Sequence, residues 1–489
     1  MVKCLLFNVV EFPYLSRSLG IYRIAHVLRQ QNLDVEVADW SSWWELEQLK
    51  QYFLSRNPAT IKLVGFSHMF SIWTDTLEQF AGWIKTTYPH VEIFSGSSVN
   101  PQFRSRYIDY YIQGFGENAA IALTKYLASN GTRPKFELEK INGAKIIKAN
   151  DWYPAYPAES LLVNYEDRDF LQQDEWLTIE FSRGCKFSCS FCNFPVLGVK
   201  GDYTRNAEDF RLQMLDTHDR FGIKNYVVAD ETFNDRTEKI TKFANVVDQL
   251  PFEPWFSGYI RADLMISRKH EREELLRMNF LGHYYGIESF NTKSAQSVGK
   301  GMNGERLKQG LIDARKYFES NKSRRYRGQI SLIAGLPYET IDTLNITKQW
   351  LGEHWQGQTF SMFELSMPAG EGVKPSKMTM EYKKFGYEIV NESPKFDDNT
   401  PVRPVGYGTD DLNWKNPNMD YQQAIAITKE FVEMKKHHDF RPGAFTLGQK
   451  LKNVPEVQQR LDLLQHEFEN SRNNSIKDYI EKKLNINTP

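Results

Sequence analysis

The stretch FSRGCKFSCSFC, residues 181–192, holds three of the four cysteines in a 489-residue chain: Cys185, Cys189 and Cys192. Their spacing is C-x3-C-x2-C, with an aromatic residue, Phe191, just before the last thiol. Three thiolates set this close can grip one face of a metal cluster. Iron–sulfur clusters ordinarily take four cysteine ligands, so a set of three leaves one iron with an open coordination position. An open position is where chemistry can take place. A structural zinc site wants four ligands, commonly from paired Cys or Cys/His knuckles. No second knuckle exists and no histidine lies in the loop, so the spacing favours the cluster. The fourth cysteine, Cys4, falls in an apolar run and reads as a buried core thiol.

The elements around these residues follow from hydrophobic pattern. WLTIEF (176–181) is an apolar, β-prone run that places the cysteines in the loop at a strand's end. Earlier, Lys3–Val10 is a continuous apolar run, as in a strand buried on both faces. LGIYRIAHVLRQQ (19–31) sets Ile21, Ile24, Ala25 and Leu28 on one helical face. Strands over 34–38, 61–67, 91–94 and 109–112 alternate with helices over 44–56, 73–88 and 117–129. This alternation predicts an α/β, Rossmann-like doubly wound domain over residues 1–130. Ligands of such sheets bind at the carboxyl ends of the strands. Small residues stand at three of those ends: Ser67 in GFSHM, Gly96 and Ser97 in SGSS, and Gly114 in QGFGE, which ends in Glu117. They let a large flat ligand approach the backbone.

Composition bounds the rest. The 61 basic and 62 acidic residues nearly cancel, so nothing resembles a nucleic-acid binder's basic footprint. No run of apolar residues is long enough for a membrane span. The first residues read as a strand rather than a signal peptide. Few cysteines, mostly clustered, point to a reducing cytosol rather than a disulfide framework. A polar connector is expected over 131–175, and a mainly helical region over 376–489. Lys435-Lys436-His437-His438 reads as a solvated helix end.

The motif matched by Cys185, Cys189, Phe191 and Cys192 resembles the signature of radical S-adenosylmethionine (SAM) enzymes. The resemblance continues downstream for about 190 residues: VVADETFN (227–234), FSGYIRAD (256–263), YGIESF (285–290), ISLIAGLPYET (330–340) and MFELSMPAG (362–370). It implies a partial (β/α)6 barrel over 176–375, with functional residues at the strand ends. By the same resemblance a [4Fe-4S] cluster on the three cysteines binds SAM at its fourth iron. One electron then cleaves SAM to a 5′-deoxyadenosyl radical. Glu288 would meet the amino or ribose end of SAM, Lys300 its carboxylate, Ser331 its ribose, and the Phe191 backbone its adenine. Arg261 and Asp230 lie on the same rim and would serve SAM or substrate.

The N-terminal half is similar to cobalamin-binding domains. After Ser67-His68-Met69 come 26 residues, 70–95, and then Gly96-Ser97. Those domains carry a Ser-x-Leu and a Gly-Gly about this far apart, and a Gly-x-Gly-Glu resembling GFGE. Ser97 departs from the second glycine. The motif that supplies an axial histidine is absent, which implies base-off cobalamin with no protein histidine on cobalt; His26 and His68 read as packing residues. Together the halves resemble the cobalamin-dependent radical SAM enzymes across about residues 1–375, in a fold that is α/β throughout with a helical C-terminal region. The resemblance implies cobalamin-dependent methylation of an unactivated carbon. Alternatives with this architecture are radical cyclisation, rearrangement or C–C bond formation without methyl transfer, or a domain that no longer binds cobalamin. It also implies an external one-electron reductant such as flavodoxin or ferredoxin, and a small-molecule or peptide substrate. No cysteines remain for auxiliary clusters.

Overall fold

The computed structural model describes residues 3–9, 15–68, 73–97, 105–128, 131–138, 143–157, 161–173, 175–192, 203–321, 326–367, 375–391, 413–437 and 458–485. Met69, the end of MFELSMPAG beyond Met367, and His438 lie outside them.

The first strands are β1 (Lys3–Val9), β2 (Ser16–Arg17), β3 (Asp34–Ala38), β4 (Ile61–His68), β5 (Glu92–Ser97), β6 (Tyr110–Gln113), β7 (Glu137–Leu138) and β8 (Lys145–Lys148). All but β2 form one sheet, ordered β3-β1-β4-β5-β6-β8-β7. Its pairings are parallel except that of β7 with β8. β1 is buried at every position, as its unbroken apolar run requires, and Cys4 on it is fully buried with its thiol pKa pushed up by burial. The stretch expected as a connector thus supplies β7 and β8 to this sheet. The reason is local: Ile146 and Ile147 in KIIK point to opposite faces of the sheet and each is buried in the core on its own side.

The second sheet takes β9 (Trp176–Ile179), β12 (Asn225–Val228), β13 (Trp255–Ile260), β14 (Phe280–Glu288), β15 (Arg327–Ala334) and β16 (Thr359–Glu364) in consecutive parallel order. Two short strands, β10 (Ser182–Arg183) and β11 (Tyr203–Thr204), pair antiparallel beside it. Helices join successive strands and cover one face. Phe256, Ile260, Tyr285, Ile330, Leu332 and Phe360 point into that covered side and are buried. The alternate residues face the inside of an open partial barrel. Asn206 starts one such helix by accepting from the backbone N–H of Glu208 and Asp209. Gly222, at φ 71°, ends it.

β2 belongs to the N-terminal part of the chain yet pairs with β9 and extends the second sheet. Beside it the Arg17 guanidinium is fully buried. It contacts Glu175 through two bonds of 2.6 Å, Asp39 at 2.7 Å and the carbonyls of Asp169 and Phe170. Trp40 and Tyr479 lie 4.7 and 5.0 Å from it. Tyr479 is on the C-terminal helix Gln458–Asn485, whose Ile476 and Ile480 join the core under β1 and β4. The two halves and the C-terminus therefore share one buried charged hub centred on Arg17. The region expected to be mainly helical also contains the hairpin β17 (Glu388–Asn391) and β18 (Asn413–Lys415). Lys435 is not simply solvated: its ammonium lies 4.7 Å from the centre of the Phe360 ring. Among the described residues no helix is long and apolar enough to cross a membrane.

Candidate functional site

The cysteine loop leaves the end of β9 and is held at its neck. Asp230, at the end of β12, accepts from the Phe181 N–H at 2.7 Å and the Ser182 hydroxyl at 2.6 Å. Lys239 lies 3.5 Å from the same carboxylate. Asp230 is 1% exposed, so it fastens the loop; it does not project onto the rim as the sequence suggested. Ser182 and Arg183 then pair with Thr204 and Tyr203, and Gly184 turns at φ 88°, a value side chains resist.

Cys185, Cys189 and Cys192 are all free thiols and partly exposed. Each contact ties the loop to a different strand end. Cys185 Sγ is 3.7 Å from the Thr232 hydroxyl, beyond β12. Cys189 Sγ is 4.0 Å from Arg261 Nη1, beyond β13. The Arg261 guanidinium lies 3.8 Å over the Phe187 ring and pairs with Asp263 at 2.7 Å. Its backbone is fixed by Asn234 through reciprocal bonds of 2.7 and 3.0 Å. Ser190 N–H donates to Val298 O, beyond β14. Gly299, at φ 89°, passes with its Cβ position 3.5 Å from Cys189 Cα. Phe191 packs its ring partly against the core.

The donor set fits a polynuclear cluster. The three thiols are unbridged and gathered on one loop, and the Arg261 guanidinium stands beside one of them. Among the described residues no three Cys, His, Asp or Glu side chains converge on a point that would hold a single ion.

Glu288 and Lys300 come together beside this loop. Lys300 Nζ is 3.2 Å from Glu288 Oε1 and donates to Gly286 O at 2.9 Å. Glu288 sits at φ 64°, and the Ser289 N–H bonds back to Ile287 O at 2.8 Å. Such a tight left-handed turn is strained in a non-glycine residue. Ser289 Oγ donates to Glu339 Oε1 at 2.5 Å and so anchors the turn. Glu339 is buried, and burial raises its pKa to about 8 against a weaker opposing effect of the Ser289 bond. Ser331 pairs in register with Gly286 and with Ser361, one step deeper in the barrel than Glu288.

Sequence reasoning missed Glu231. Its Oε2 is buried with no hydrogen-bond partner. Burial raises its pKa to about 7, with Asp230 and Glu180 adding to the rise and Arg183 opposing it. It adjoins Thr232, the residue touching Cys185. The signal was the carboxylate pair in ADET, which assigned Asp230 alone to the rim.

At the first sheet, register aligns the predicted small residues. Ser67 pairs with Gly96, Gly96 with Ile112, and Ser97 with Gln113. Among the described residues a Cβ on Gly96 would meet Ile112 O alone, at 4.0 Å. Gly114, at φ 102°, has no such space: a Cβ would lie 2.5 Å from Asn150 Oδ1, the atom that accepts from Phe115 N–H at 2.8 Å. Glu117, expected on the cofactor rim, is 2% exposed and faces the barrel. Its Oε1 lies 2.5 Å from Arg183 Nη2 and 3.6 Å from Arg23 Nε. Burial opposes its ionisation, but Arg183 and Arg23 outweigh this and hold the carboxyl below its usual range. Arg183 also pairs with Glu180 at 2.6 Å and lies 4.6 Å over the Phe115 ring. The neck of the cysteine loop is thereby joined to the GFGE loop. His26 is buried; burial, with Arg23 and Arg29 adding to it, lowers its pKa to about 4, as befits a packing residue.

No family model and no curated protein matches this sequence. Solved structures do. The radical S-adenosylmethionine methyltransferase TsrM from Kitasatospora setae, with cobalamin and a [4Fe-4S] cluster bound, superposes with a TM-score of 0.68 at 14% identity, covering 97% of this chain and 100% of that one. TsrM with tryptophan substrate and a SAM analogue bound gives the same score at 13% identity. The cobalamin-dependent S-adenosylmethionine radical enzyme OxsB, with aqua-cobalamin and S-adenosylmethionine bound, gives 0.59 at 16% identity, covering 98% of this chain and 72% of that one. Over nearly its whole length this chain has the fold of the cobalamin-dependent radical SAM enzymes.

Proposed function

We propose that this chain is a cobalamin-dependent radical SAM enzyme that methylates an unactivated carbon of a small-molecule or peptide substrate. One observation carries the reading. The loop bearing three unbridged thiols is joined, through Arg183 and Glu117, to a sheet whose adjacent strand ends present Ser67, Gly96 and Gly114. Methylation by this route needs both cofactors to reach one substrate, and the reading is supported by the contact of Arg183 with Glu117 and Phe115, which sets the neck of the cysteine loop beside the GFGE loop.

Cys185, Cys189 and Cys192 hold three irons of a [4Fe-4S] cluster. With SAM bound, that cluster would supply the electron that cleaves SAM to methionine and the 5′-deoxyadenosyl radical used for hydrogen abstraction. The remaining roles belong to the chain. The Glu231 carboxyl receives the SAM ammonium, and Lys300, held by Glu288, receives the SAM carboxylate. Ser331 accepts from the ribose, and the Phe191 backbone meets the adenine. Arg261 steadies the thiolate charge of Cys189. Ser67, Gly96 and Ser97 cradle cobalamin, beside the turn at Gly114, without a protein histidine on cobalt. A flavodoxin- or ferredoxin-type donor in the cytosol delivers the electron.

The test is anaerobic reconstitution of the full chain. Iron and sulfide content, cobalamin retention and dithionite-driven SAM cleavage are measured for the wild type and for Cys185→Ala, Cys189→Ala and Cys192→Ala. The proposal expects about four irons per chain, retained cobalamin, and loss of cleavage in each variant. Iron-free protein, or cleavage that survives any of the three changes, overturns it. Anaerobic incubation with extract fractions, read by mass for the gain of one methyl, then identifies the substrate.

A further inference from the structure

The chain between Glu288 and Lys300 forms a closed bracket. It leaves β14 through the left-handed turn at Glu288 and enters the short helix Thr292–Ser297. Asn291 caps that helix, its Oδ1 accepting from the N–H groups of Lys293 and Ser294 at 3.0 and 3.3 Å. The far end turns back on the helix, where the Lys300 N–H donates to Ala295 O at 2.9 Å. Lys300 Nζ then returns to Gly286 O and Glu288. The fit is close: a Cβ on Gly286 would lie 2.8 Å from Glu288 Oε1 and 3.4 Å from Lys300 Nζ. Two of the three ammonium donors are spent in this way, and the side chain, 15% exposed, keeps one for a ligand. The bracket also meets the cysteine loop, through Val298 O with the Ser190 N–H and through Gly299 with Cys189.

Two ties to the end of β15 fix where this bracket sits. Ser289 Oγ accepts from the Asn291 N–H at 3.0 Å and donates to Glu339 Oε1 at 2.5 Å, so one hydroxyl joins the helix cap to the neighbouring strand end. Asn291 Nδ2 donates to Tyr338 O at 3.1 Å. Glu339 is 1% exposed, and burial acts on its carboxyl with the Ser289 bond as the opposing influence. Breaking that bond strands a buried polar group, so it is expensive to lose. An interaction of this kind is what keeps a non-glycine residue in a left-handed turn.

We infer that Ser289 and Glu339 are positioning residues for SAM: by pinning the Glu288 turn and the Asn291 cap to β15, they set where the Lys300 ammonium stands beside the cysteine loop. Neither touches the ligand. Without the bond between them the Glu288 backbone is free to relax from its left-handed conformation, and Lys300 loses the carboxylate that holds it. This deepens the proposed function and rests on it for the identity of the ligand; the chain of hydrogen bonds stands without it.

The test uses the reconstituted full chain and three variants, Ser289→Ala, Glu339→Leu and Glu339→Gln, each checked for folding by circular dichroism. At pH 7 the half-saturating SAM concentration and the maximal rate are read separately in dithionite-driven cleavage, and amide hydrogen exchange over residues 288–300 is read by mass. Ser289→Ala and Glu339→Leu are expected to raise the half-saturating concentration about fivefold, less than the loss of a charge-assisted bond to the ligand itself, with the maximal rate within about twofold of wild type. Exchange over 288–300 is expected to quicken at least about fivefold in both, while the first sheet exchanges as in wild type. Glu339→Gln keeps an oxygen for the Ser289 hydroxyl and is expected to match wild type in all three readings. Where Glu339→Leu does not fold, Ser289→Ala decides. Unchanged half-saturation in Ser289→Ala overturns the inference, as does a loss confined to the maximal rate, or a Glu339→Gln variant as impaired as Glu339→Leu. A wild type that does not cleave SAM overturns the proposed function and this role with it; a wild type that cleaves SAM beside unaltered variants overturns this inference alone.

Discussion

Removing Arg183 tests the coupling of the two halves most directly. Its guanidinium serves Glu117 at 2.5 Å and Glu180 at 2.6 Å while lying on Phe115. Arg183→Met keeps the apolar length and deletes the charge. Glu117 then keeps only Arg23, at 3.6 Å, and Glu180 loses its partner. Breaking a buried pair from one side costs about 3–5 kcal/mol, because a desolvated charge is left behind. Glu117→Gln is milder, since Arg183 retains Glu180; about 2–3 kcal/mol is expected, near the lower end of that range. Because the residues share a network, the double change should cost less than the two single losses together, by about 1–3 kcal/mol. The assay is urea unfolding of the three variants and the wild type, followed by tryptophan fluorescence. The pH dependence has a definite sign. Glu117 titrates below its ordinary value in the folded chain, so its contribution is present above that ordinary value and disappears as pH falls through the lower folded one. Glu117→Gln should flatten the acid limb of the stability curve. Strictly additive losses, or an Arg183→Met cost under about 0.5 kcal/mol, a surface-like value, would refute a buried bridge.

Glu339 behaves oppositely. Its pKa of about 8 lies above the unfolded carboxyl value near 4.3, so the folded chain holds the extra proton and stability falls as pH rises between the two. Glu339→Gln should remove that fall, as melting temperatures from pH 5 to 9 will show; an unchanged slope counts against the assignment. Gly114→Ala should lower the melting temperature and abolish cobalamin retention, because φ is 102° and the new Cβ meets Asn150; full retention by absorbance would contradict it. Lys300→Met should raise the SAM concentration for half-maximal cleavage at least about tenfold, the value of one charge-assisted bond, and an unaltered requirement would remove Lys300 from the SAM site.

The two sheets and the cysteine loop were legible because they depend on short-range pattern. Apolar runs mark β1 and β4 as buried strands, and thiol spacing within eight residues is fixed by the chain itself. Small residues at successive strand ends could likewise be aligned, since parallel sheets repeat a simple register. What the sequence could not assign were partners chosen across long separations. Asp230 reads as a rim carboxylate until the fold brings it to Phe181 and Ser182. Glu117 reads as a cofactor contact until Arg183 arrives beside it. The KIIK strand reads as connector until β6 offers it an edge. The order of residues alone set which thiols share one loop and which small residues stand at the strand ends of the first sheet. Tertiary packing alone decided which charges are neutralised in pairs and which buried polar atoms, like Glu231 Oε2, stay unmatched. The reason is that burial and Coulomb energy depend on distance in space, which separation along the chain does not fix.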